Sequence, residues 1–373
     1  MVRSVFGLAS AMALGSLLSC GSSSSNDPGV PAGGDGTYVN EPYETLEQYG
    51  LVSIRDGVIV PAKESVPYDL NTPLFSDYAQ KERTIFLPAG TSMTYHDDGT
   101  FDFPVGAIIT KSFGFPKDFR DASSKVKWEE TRLLIRNNDG WKGISYFWDD
   151  AQTSAKKAPG GRTQAVEFID SQGATQHANY LIPNVNQCPK CHANDGVTTP
   201  IGIYAAQVNR THTYADGTTA NQLTKWTELG MLRGVPATLN SAPHLPVWDD
   251  PSAGSAADRA RSYLDGNCAY CHSPTGEART TGLFLSLRET DPTRLGVCKL
   301  PVAAGRAAAG LDYDVVPGNP DKSILAYRMS SVEPSIAMPE LGRSLVHKEA
   351  LALVRDWIQG LQGTCAPTAP TPP

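Results

Sequence analysis

The sequence is poor in positive charge, in long apolar runs and in the motifs of common enzyme classes. Its 373 residues contain 32 Lys and Arg against 39 Asp and Glu, a formal net charge of −7, without a basic run. This balance argues against a nucleic-acid binder. After the extreme N-terminus, no apolar stretch reaches the roughly 18 residues of a membrane span. A nucleotide-binding glycine loop, an H-E-x-x-H motif and a G-x-S-x-G motif are all missing, so no catalytic residue is predicted.

The composition also disfavours a fold built from long helices. The chain contains 34 glycines and 28 prolines, which predict many turns and argue against a helical bundle or coiled coil. Hydrophobic residues make up 40% of the sequence, so most of the chain is expected to fold. At about 150 residues per domain, the length predicts two or three domains.

Residues 1–19 have the pattern of an export signal, with Arg3 before an apolar core. The core ends in Leu17–Gly21 (LLSCG), which resembles the bacterial lipobox. The resemblance implies that Cys20 is lipidated and anchors the protein to a membrane facing the periplasm or cell surface. By resemblance to lipoprotein sorting in Gram-negative bacteria, Gly21 in place of Asp after the cysteine favours the outer membrane. An ordinary secreted protein with a chance cysteine is the alternative. Residues 20–39 are interpreted as a flexible tether and residues 366–373 as a disordered tail.

Four of the seven cysteines form two copies of one motif, Cys188–His192 (CPKCH) and Cys268–His272 (CAYCH). C-x-x-C-H is the attachment signature of c-type haem. Its two intervening residues place the thiols about one helical turn apart, which matches the two haem vinyl groups, and the histidine then supplies the proximal iron ligand. We therefore predict two covalent haem c groups, with His192 and His272 on the iron. The thioether-forming residues are Cys188, Cys191, Cys268 and Cys271. A redox dithiol and a zinc site are the alternatives.

The remaining cysteines, Cys298 and Cys365, form an even pair. In an exported protein the compartment is oxidising, so we predict a disulfide between them. It would join the end of the last predicted helix to the body of the second haem region. Two free buried thiols are the alternative.

Residues 251–365 are predicted to form a small helical haem domain. Apolar residues recur at helical spacing over 251–266 and again over 349–361. With a methionine in a Met-Pro loop between them, this pattern resembles a class I cytochrome c domain. The resemblance implies that Met338 is the distal ligand opposite His272, and Met/His ligation raises the reduction potential. Met329 is the rival ligand and is interpreted as a packing residue.

The first haem segment, residues 181–250, departs from that pattern because a polar loop precedes Cys188. Met231, directly after a short predicted helix that ends at Gly230, is the candidate distal ligand. A five-coordinate iron without a distal ligand is an alternative. The rival distal ligands are His177, His212 and His244.

Residues 40–180 contain short alternating runs separated by turns, as in strands of a β-sandwich or partial barrel. Adjacent carboxylates in this region, such as Glu129 and Glu130, would point to opposite faces of a strand and do not make an acid–base pair. The predicted fold class is therefore α+β and multidomain. It comprises a β-sandwich-like region at 40–180, a first haem segment at 181–250 and an all-α cytochrome c-like domain at 251–365.

The chain as a whole resembles a family of bacterial dihaem c-type cytochromes. Residues 65–79, 130–148 and 182–192 and the C-terminal domain carry the resemblance. It implies haem binding and electron transfer between donor and acceptor proteins, which favours an electron carrier over an enzyme. A dihaem peroxidase and the electron-accepting subunit of a periplasmic dehydrogenase are the alternatives.

Overall fold

The computed structural model describes residues 32–302 and 304–367. The predicted signal peptide, the predicted lipidation site Cys20 and most of the predicted tether and tail lie outside these residues. Within the described ranges, none of the helices has the length and apolar character needed to cross a bilayer.

Strands are short and numerous in the described part of the chain. In chain order they are β1 Val52–Arg55, β2 Val58–Pro61, β3 Ser65–Pro67, β4 Gln80–Phe86, β5 Met93–Tyr95, β6 Phe101–Asp102, β7 Ile108–Pro116, β8 Val126–Asn137, β9 Gly140–Trp148, β10 Ala155–Lys157, β11 Arg162–Ile169, β12 Thr175–Ile182, β13 Ala193–Asn194, β14 Val197–Thr198, β15 Thr211–Thr213, β16 Thr219–Asn221 and β17 Leu232–Arg233.

Helices are fewer and lie mostly in the second half. The α-helices are α1 Cys188–His192, α2 Ala205–Val208, α3 Gln222–Glu228, α4 Ala256–Cys268, α5 Ile324–Ser330 and α6 Lys348–Gly360. The 3₁₀ helices are Thr37–Val39, Leu46–Tyr49, Leu239–Ser241, Pro251–Ala253, Arg279–Thr281, Gly305–Ala308 and Pro320–Lys322.

One six-stranded antiparallel sheet, in the order β10-β9-β8-β7-β4-β3, organises the N-terminal half. Apolar and polar residues alternate along its strands, so each face has its own character. One face buries Leu133, Ile135 and Tyr146 against the N-terminal segment that contains Tyr38 and Tyr49. The other face, which we call the motif face, carries the first C-x-x-C-H segment.

The motif face is covered by short elements instead of a second large sheet. Helices α2 and α3 bury Val208, Leu223 and Trp226 against Ile85 and Ile109 of the sheet. The hairpin of β11 and β12 forms a separate two-stranded sheet beside it. The remaining small sheets are β1-β2, β13-β14, β15-β16 and the three-stranded β17-β5-β6.

The predicted fold class is wrong in two respects. Strand makes up 27% of the structure and helix 21%. The strands form six sheets, and five of these have only two or three strands, so the N-terminal half is not a sandwich of two large sheets. The C-terminal region is not an all-α cytochrome c-like domain either. Three α-helices, α4 to α6, are joined there by irregular segments, 3₁₀ turns and isolated β-bridges. Prolines and glycines in these connections prevent the continuous helices that an all-α domain needs.

The two predicted helices around the second motif are confirmed as local elements. Helix α4 begins with a capping box between Ser255 and Asp258 and ends inside the motif. Helix α6 buries Val354, Trp357 and Ile358 on one face. The two helices pack together in the third core cluster, which places the second motif beside the C-terminal helix.

Residues 68–79, here called the junction segment, connect the sheet to both predicted haem segments, through Gln207 in the first and Ser262 in the second. Thr72 hydrogen-bonds through its hydroxyl to Ser262 of α4, at 2.8 Å. The backbone NH of Phe75 donates to Asn267 of α4, at 2.7 Å. Asp77 accepts from the backbone NH groups of Ser344 and Leu345, at 2.7 and 2.8 Å. These contacts cross the predicted domain boundaries near residues 180 and 250.

Candidate haem site

The first motif is a single helical turn that lies on the motif face of the sheet. Helix α1 spans Cys188–His192, and Pro189 stands at its start, where a missing NH costs nothing. A Cβ on Gly143 of β9 would lie 3.5 Å from the Cys188 sulfur, so this glycine lets the motif approach the sheet closely. The sheet therefore fixes the position of the first cysteine pair.

His192 is oriented by the hairpin that follows it. Strands β13 and β14 are joined through Asp195 and Gly196, both with positive φ, a pair that is favoured in two-residue hairpin loops. The hairpin returns Thr199 to the histidine, and the His192 Nδ1–H donates to the Thr199 carbonyl at 2.8 Å. This bond fixes the tautomer and leaves Nε2 free to bind a metal, as in other metal-ligating histidines. Burial lowers the pKa of His192 to about 4, which keeps the ring neutral.

The second motif begins in the last turn of α4 and continues as a compact turn. The backbone NH of His272 donates to the Cys268 carbonyl at 2.9 Å. The NH of Ala278 then returns to the Cys271 carbonyl at 3.0 Å, with Gly276 packed against the same turn. These hydrogen bonds hold the residues from Cys268 to Cys271 in a compact turn.

His272 lies partly buried behind this turn. Its Nδ1 atom is buried and has no hydrogen-bond partner among the described residues. Burial lowers the pKa of the ring to about 4, so it is neutral near pH 7. A neutral imidazole is the form that ligates iron.

The two motifs, 80 residues apart in the chain, meet in the structure. The Cys271 thiol points to the Lys190 carbonyl at 3.5 Å, and the backbone NH of Asp195 donates to the Thr275 carbonyl at 2.9 Å. Contact with the Cys271 thiol, followed by the positive charges of Arg132 and Lys111, lowers the pKa of Cys191 to about 7. Groups attached at the two motifs would therefore lie next to each other.

A cavity of about 430 Å³ opens where the motifs meet. Its volume falls in the range of cofactor sites, and its walls combine apolar side chains with a few polar ones. The motif and ligand candidates among its lining residues are Cys191, Cys268, Cys271, His272, Met329 and Met338. All four motif cysteines are free thiols, and both histidines are neutral, so the donor set fits covalent haem.

Met338 borders the cavity on a loop that Arg343 holds in place. The Arg343 guanidinium donates to the carbonyls of Met338 at 2.8 Å and Ser331 at 2.7 Å. It also donates to the carbonyls of Arg328 and Leu345. The loop therefore presents Met338 to the same space as His272. Met329 also lines this cavity, but only 8% of it is exposed and it packs in the third core cluster.

The candidates for the distal side of the first motif are placed apart from this cavity. Met231 packs in the second core cluster, and its carbonyl accepts from the Met93 NH at 2.7 Å. His177 and His244 are exposed, and His177 pairs with Glu167. His212 lies 3.2 Å from Asp69. None of the four lines the cavity that borders both motifs.

Cys298 and Cys365 are joined by a disulfide, with their Cα atoms 5.1 Å apart. Val297 and Val315 form a bridge beside it, and Cys365 follows the end of α6. The bond ties the segment after the last helix to the body of the region that contains the second motif. It also leaves the four motif cysteines as the free thiols of the described residues.

Three residues that position the site were not predicted from the sequence. Thr199 orients His192, Arg343 holds the Met338 loop, and Gly276 allows the second motif turn to close. The Asp-Gly pair after His192 is a hairpin signal that predicts the return of the chain to the histidine. Arg343 and Gly276 carry no comparable local pattern.

No family model, curated protein or solved structure matches the chain. Among the described residues, no group of three or more His, Cys, Asp and Glu side chains is arranged to hold a metal ion. The chemistry of the site therefore follows from its own residues, above all from the two C-x-x-C-H turns.

His347 makes the stability of the cavity wall sensitive to acid. It is 13% exposed and stacks on Phe75, with Nδ1 3.1 Å from the Tyr263 hydroxyl. Burial, and then the charge of Lys81, lowers its pKa to about 3 from an ordinary 6.5. Between these values the unfolded chain binds more protons, so stability is lost as the pH falls below 6.5. From pH 6.5 to pH 5 we expect a loss of about 2 kcal/mol.

Urea unfolding at pH 7 and pH 5 measures this loss. We expect His347→Phe, which keeps the stack on Phe75, to lose about 2 kcal/mol less than wild type on acidification. The matched control is His177→Phe, which makes the same replacement at an exposed position outside the cavity wall. Equal losses in wild type and His347→Phe would contradict the prediction.

Proposed function

We propose that the chain is a dihaem c-type cytochrome that transfers single electrons through haems attached at Cys188–His192 and Cys268–His272. The observation that carries the proposal is the contact between two C-x-x-C-H turns beside one cavity, which Cys191 of the first turn and Cys268, Cys271 and His272 of the second line. All four motif cysteines are free thiols, and both motif histidines are neutral. A bound haem c supplies an iron that gains and loses one electron.

The part of the protein in this function is to hold and orient the haem groups and to shield them from solvent. The four thiols would form the thioether links, and the free Nε2 of His192, which faces away from the hydrogen bond to Thr199, would hold the iron at the first motif. At the second motif His272 and Met338 would hold it, and a soft thioether ligand raises the reduction potential. Since the motifs touch through Cys271 and Lys190, groups held at the two motifs would be adjacent, as electron transfer within one protein requires.

The location proposed for this cytochrome is an exported one, with Cys20 as a lipid anchor to a membrane facing the periplasm or cell surface. Support comes from the lipobox-like sequence and from the Cys298–Cys365 disulfide, which is typical of oxidising compartments. The partners in this proposal are donor and acceptor redox proteins.

The test of the proposal is a haem count on the full-length protein, produced in a host with a working c-type haem attachment system. We expect a pyridine haemochrome assay and the intact mass to give two covalent haems per chain. A colourless protein without added mass would exclude the proposal. A high-spin haem that turns over peroxide would favour the peroxidase instead, and stable co-purification with a dehydrogenase would favour the accepting subunit.

Replacement of Met338 by leucine tests the distal ligand of the second haem. We expect the variant to lose the low-spin signature of one haem and to lower its reduction potential, because a thioether ligand raises the potential. The volume is conserved, so the stability cost should stay below about 1.5 kcal/mol. The matched control is Met329→Leu, which should leave the spin state of both haems as in wild type. Loss of the signature in the control instead would assign the ligand to Met329.

A further inference from the structure

Part of the wall of the cavity beside the two motifs is a single loop. It comprises residues 331–347, which connect helices α5 and α6 through turns and bends, and is here called the ligand loop. Its members that line the cavity are Met338, Pro339, Glu340, Leu341, Arg343 and His347. Because turns and bends lack a continuous ladder of backbone hydrogen bonds, the position of such a loop depends on contacts from other segments.

Asp77 of the junction segment holds the ligand loop near its end. This residue is fully buried, with an exposed fraction of 0%. Its Oδ1 atom accepts from the backbone NH groups of Ser344 and Leu345, at 2.7 and 2.8 Å, and its Oδ2 atom accepts from the Ser344 hydroxyl at 3.1 Å. A buried carboxylate needs such donors, because desolvation without them is costly. One side chain therefore fixes two consecutive residues of the loop.

Arg343 connects these two residues to Met338. It directly precedes Ser344 in the chain, and its Nη1 group donates to the Leu345 carbonyl at 3.1 Å. Its Nη2 group donates to the Met338 carbonyl at 2.8 Å. A shift of residues 344–345 would therefore displace the guanidinium that holds the backbone of Met338.

The backbone of Asp77 and Tyr78 is strained where it meets the loop. Their φ angles are +50° and +64°, in the left-handed region. This region is unfavourable for residues with a Cβ, and bulky residues occupy it where surrounding contacts impose it. The Tyr78 hydroxyl accepts from the Lys348 NH at 3.2 Å and donates to the Glu349 carboxylate at 2.8 Å. The strained turn thus directs two consecutive side chains to the end of the loop and the start of α6.

Two further contacts tie the same stretch to the N-terminal half of the chain. The Phe75 ring stacks on His347 with their centroids 4.2 Å apart, and both side chains line the cavity. Asn179 of β12 donates its backbone NH to the Ser344 hydroxyl oxygen at 2.9 Å. The end of the ligand loop is therefore held by two separate segments of the β-rich region.

We propose that Asp77 positions Met338: its carboxylate holds the ligand loop where the Met338 thioether can bind the iron at the second motif. This inference rests on the proposed function, because it needs a haem at Cys268–His272. Asp77 is not among the described residues that line the cavity, so it acts through the loop residues that it holds. Because a thioether ligand raises the reduction potential, the N-terminal β-rich region would thereby set the potential of the second haem.

The experiment compares Asp77→Gly with Asp77→Asn and with Asp56→Gly in the full-length haem-loaded chain. Glycine removes the carboxylate but accepts the left-handed backbone, whereas asparagine keeps an acceptor and also tolerates this backbone. Asp56 is the matched control, because it is an exposed aspartate with a φ of +52° in the turn between β1 and β2. The readouts are the low-spin signature and midpoint potential of each haem, and the hydrogen exchange of residues 331–347.

For Asp77→Gly we expect faster hydrogen exchange in the ligand loop, loss of the low-spin signature of one haem, and a lower potential of that haem. A tenfold shift in the redox equilibrium corresponds to about 59 mV for one electron. Asp77→Asn and Asp56→Gly should stay near wild type. An unchanged spectrum and potential in Asp77→Gly, with two haems attached, would overturn this inference and leave the proposed function standing. An absence of haem in wild type defeats both.

A double variant separates positioning of Met338 from a general effect on the fold. Asp77→Gly is combined with Met338→Leu, because residues that act through one another have non-additive effects. We expect no further change in spectrum or potential once the thioether is gone. A further shift would show that Asp77 acts on the haem by another route, and it would overturn the inference. Unchanged spectra in Met338→Leu alone, with two haems attached, would also overturn it.

Ser344→Ala decides the question if Asp77→Gly does not yield folded protein. This variant removes only the hydroxyl that Asp77 and Asn179 share, and it leaves both backbone bonds to Asp77 in place. We expect a smaller change of the same kind, with faster exchange in the ligand loop and a partial loss of the low-spin signature. Wild-type values of both readouts in this variant would then overturn the inference.

Discussion

Replacement of Gly276 by alanine is expected to reduce the haem content from two per chain towards one. A Cβ at this position would lie 2.7 Å from the Tyr270 carbonyl oxygen and even closer to the carbonyl of Cys271. Both are backbone atoms of the second motif, so the motif turn itself must move. Such overpacking costs about 1–3 kcal/mol, and here the cost falls on the turn that presents the thiols for attachment. Pyridine haemochrome and intact mass measure the haem content.

Gly360→Ala is the matched control for this substitution. Gly360 ends helix α6, where an added Cβ would meet no atom within 4 Å, so both haems should remain. A second haem retained in full in Gly276→Ala, with unchanged stability, would show that the motif turn is more tolerant than its packing indicates.

Removal of the Cys298–Cys365 disulfide is expected to lower the free energy of unfolding by about 4 kcal/mol. The bond closes a loop with a sequence separation of 67 residues, and the chain-entropy argument gives this value for such a loop. Guanidinium unfolding of the variant with Cys298→Ala and Cys365→Ala, compared with wild type, measures the loss. The haem-attachment cysteines are unchanged in this variant, so the haem count should stay at two.

Wild type unfolded in the presence of a thiol reductant supplies the control for this prediction. It should match the double-alanine variant, because both lack the cross-link but otherwise share the same packing. A loss below about 1 kcal/mol in the variant would mean that the tail after α6 is held by other contacts, and the prediction would be contradicted.

Local patterns in the sequence predicted individual elements well. Alternation predicted short strands within residues 40–180, where β7, β8 and β9 are found. Helical spacing over 251–266 and 349–361 predicted the helices that correspond to α4 and α6. The motif residues were identified because C-x-x-C-H needs only local spacing. In each case the pattern depends on side chains within a few turns of one another.

Partners across the fold could not be predicted in the same way. Alternation shows which residues of a strand share a face but not what covers that face, so helices and small hairpins were mistaken for a second sheet. The expectation of an all-α domain depended on two helices that do form, α4 and α6. The Pro- and Gly-rich connections between them fold irregularly instead. The meeting of Cys191 with Cys271 and the bonds from Asp77 to residues 344–345 arise from tertiary contact.

The junction segment also bears on the order in which the chain folds. The bonds from Asp77 to Ser344 and Leu345 join residues that are 267 and 268 positions apart. Contacts this distant carry a large loop-closure entropy and form slowly compared with local turns. The sheet and the two short motif turns can therefore form first, while the wall provided by residues 344–345 joins last. If haem is attached at the motifs as proposed, this order would leave the motif thiols accessible until that final closure.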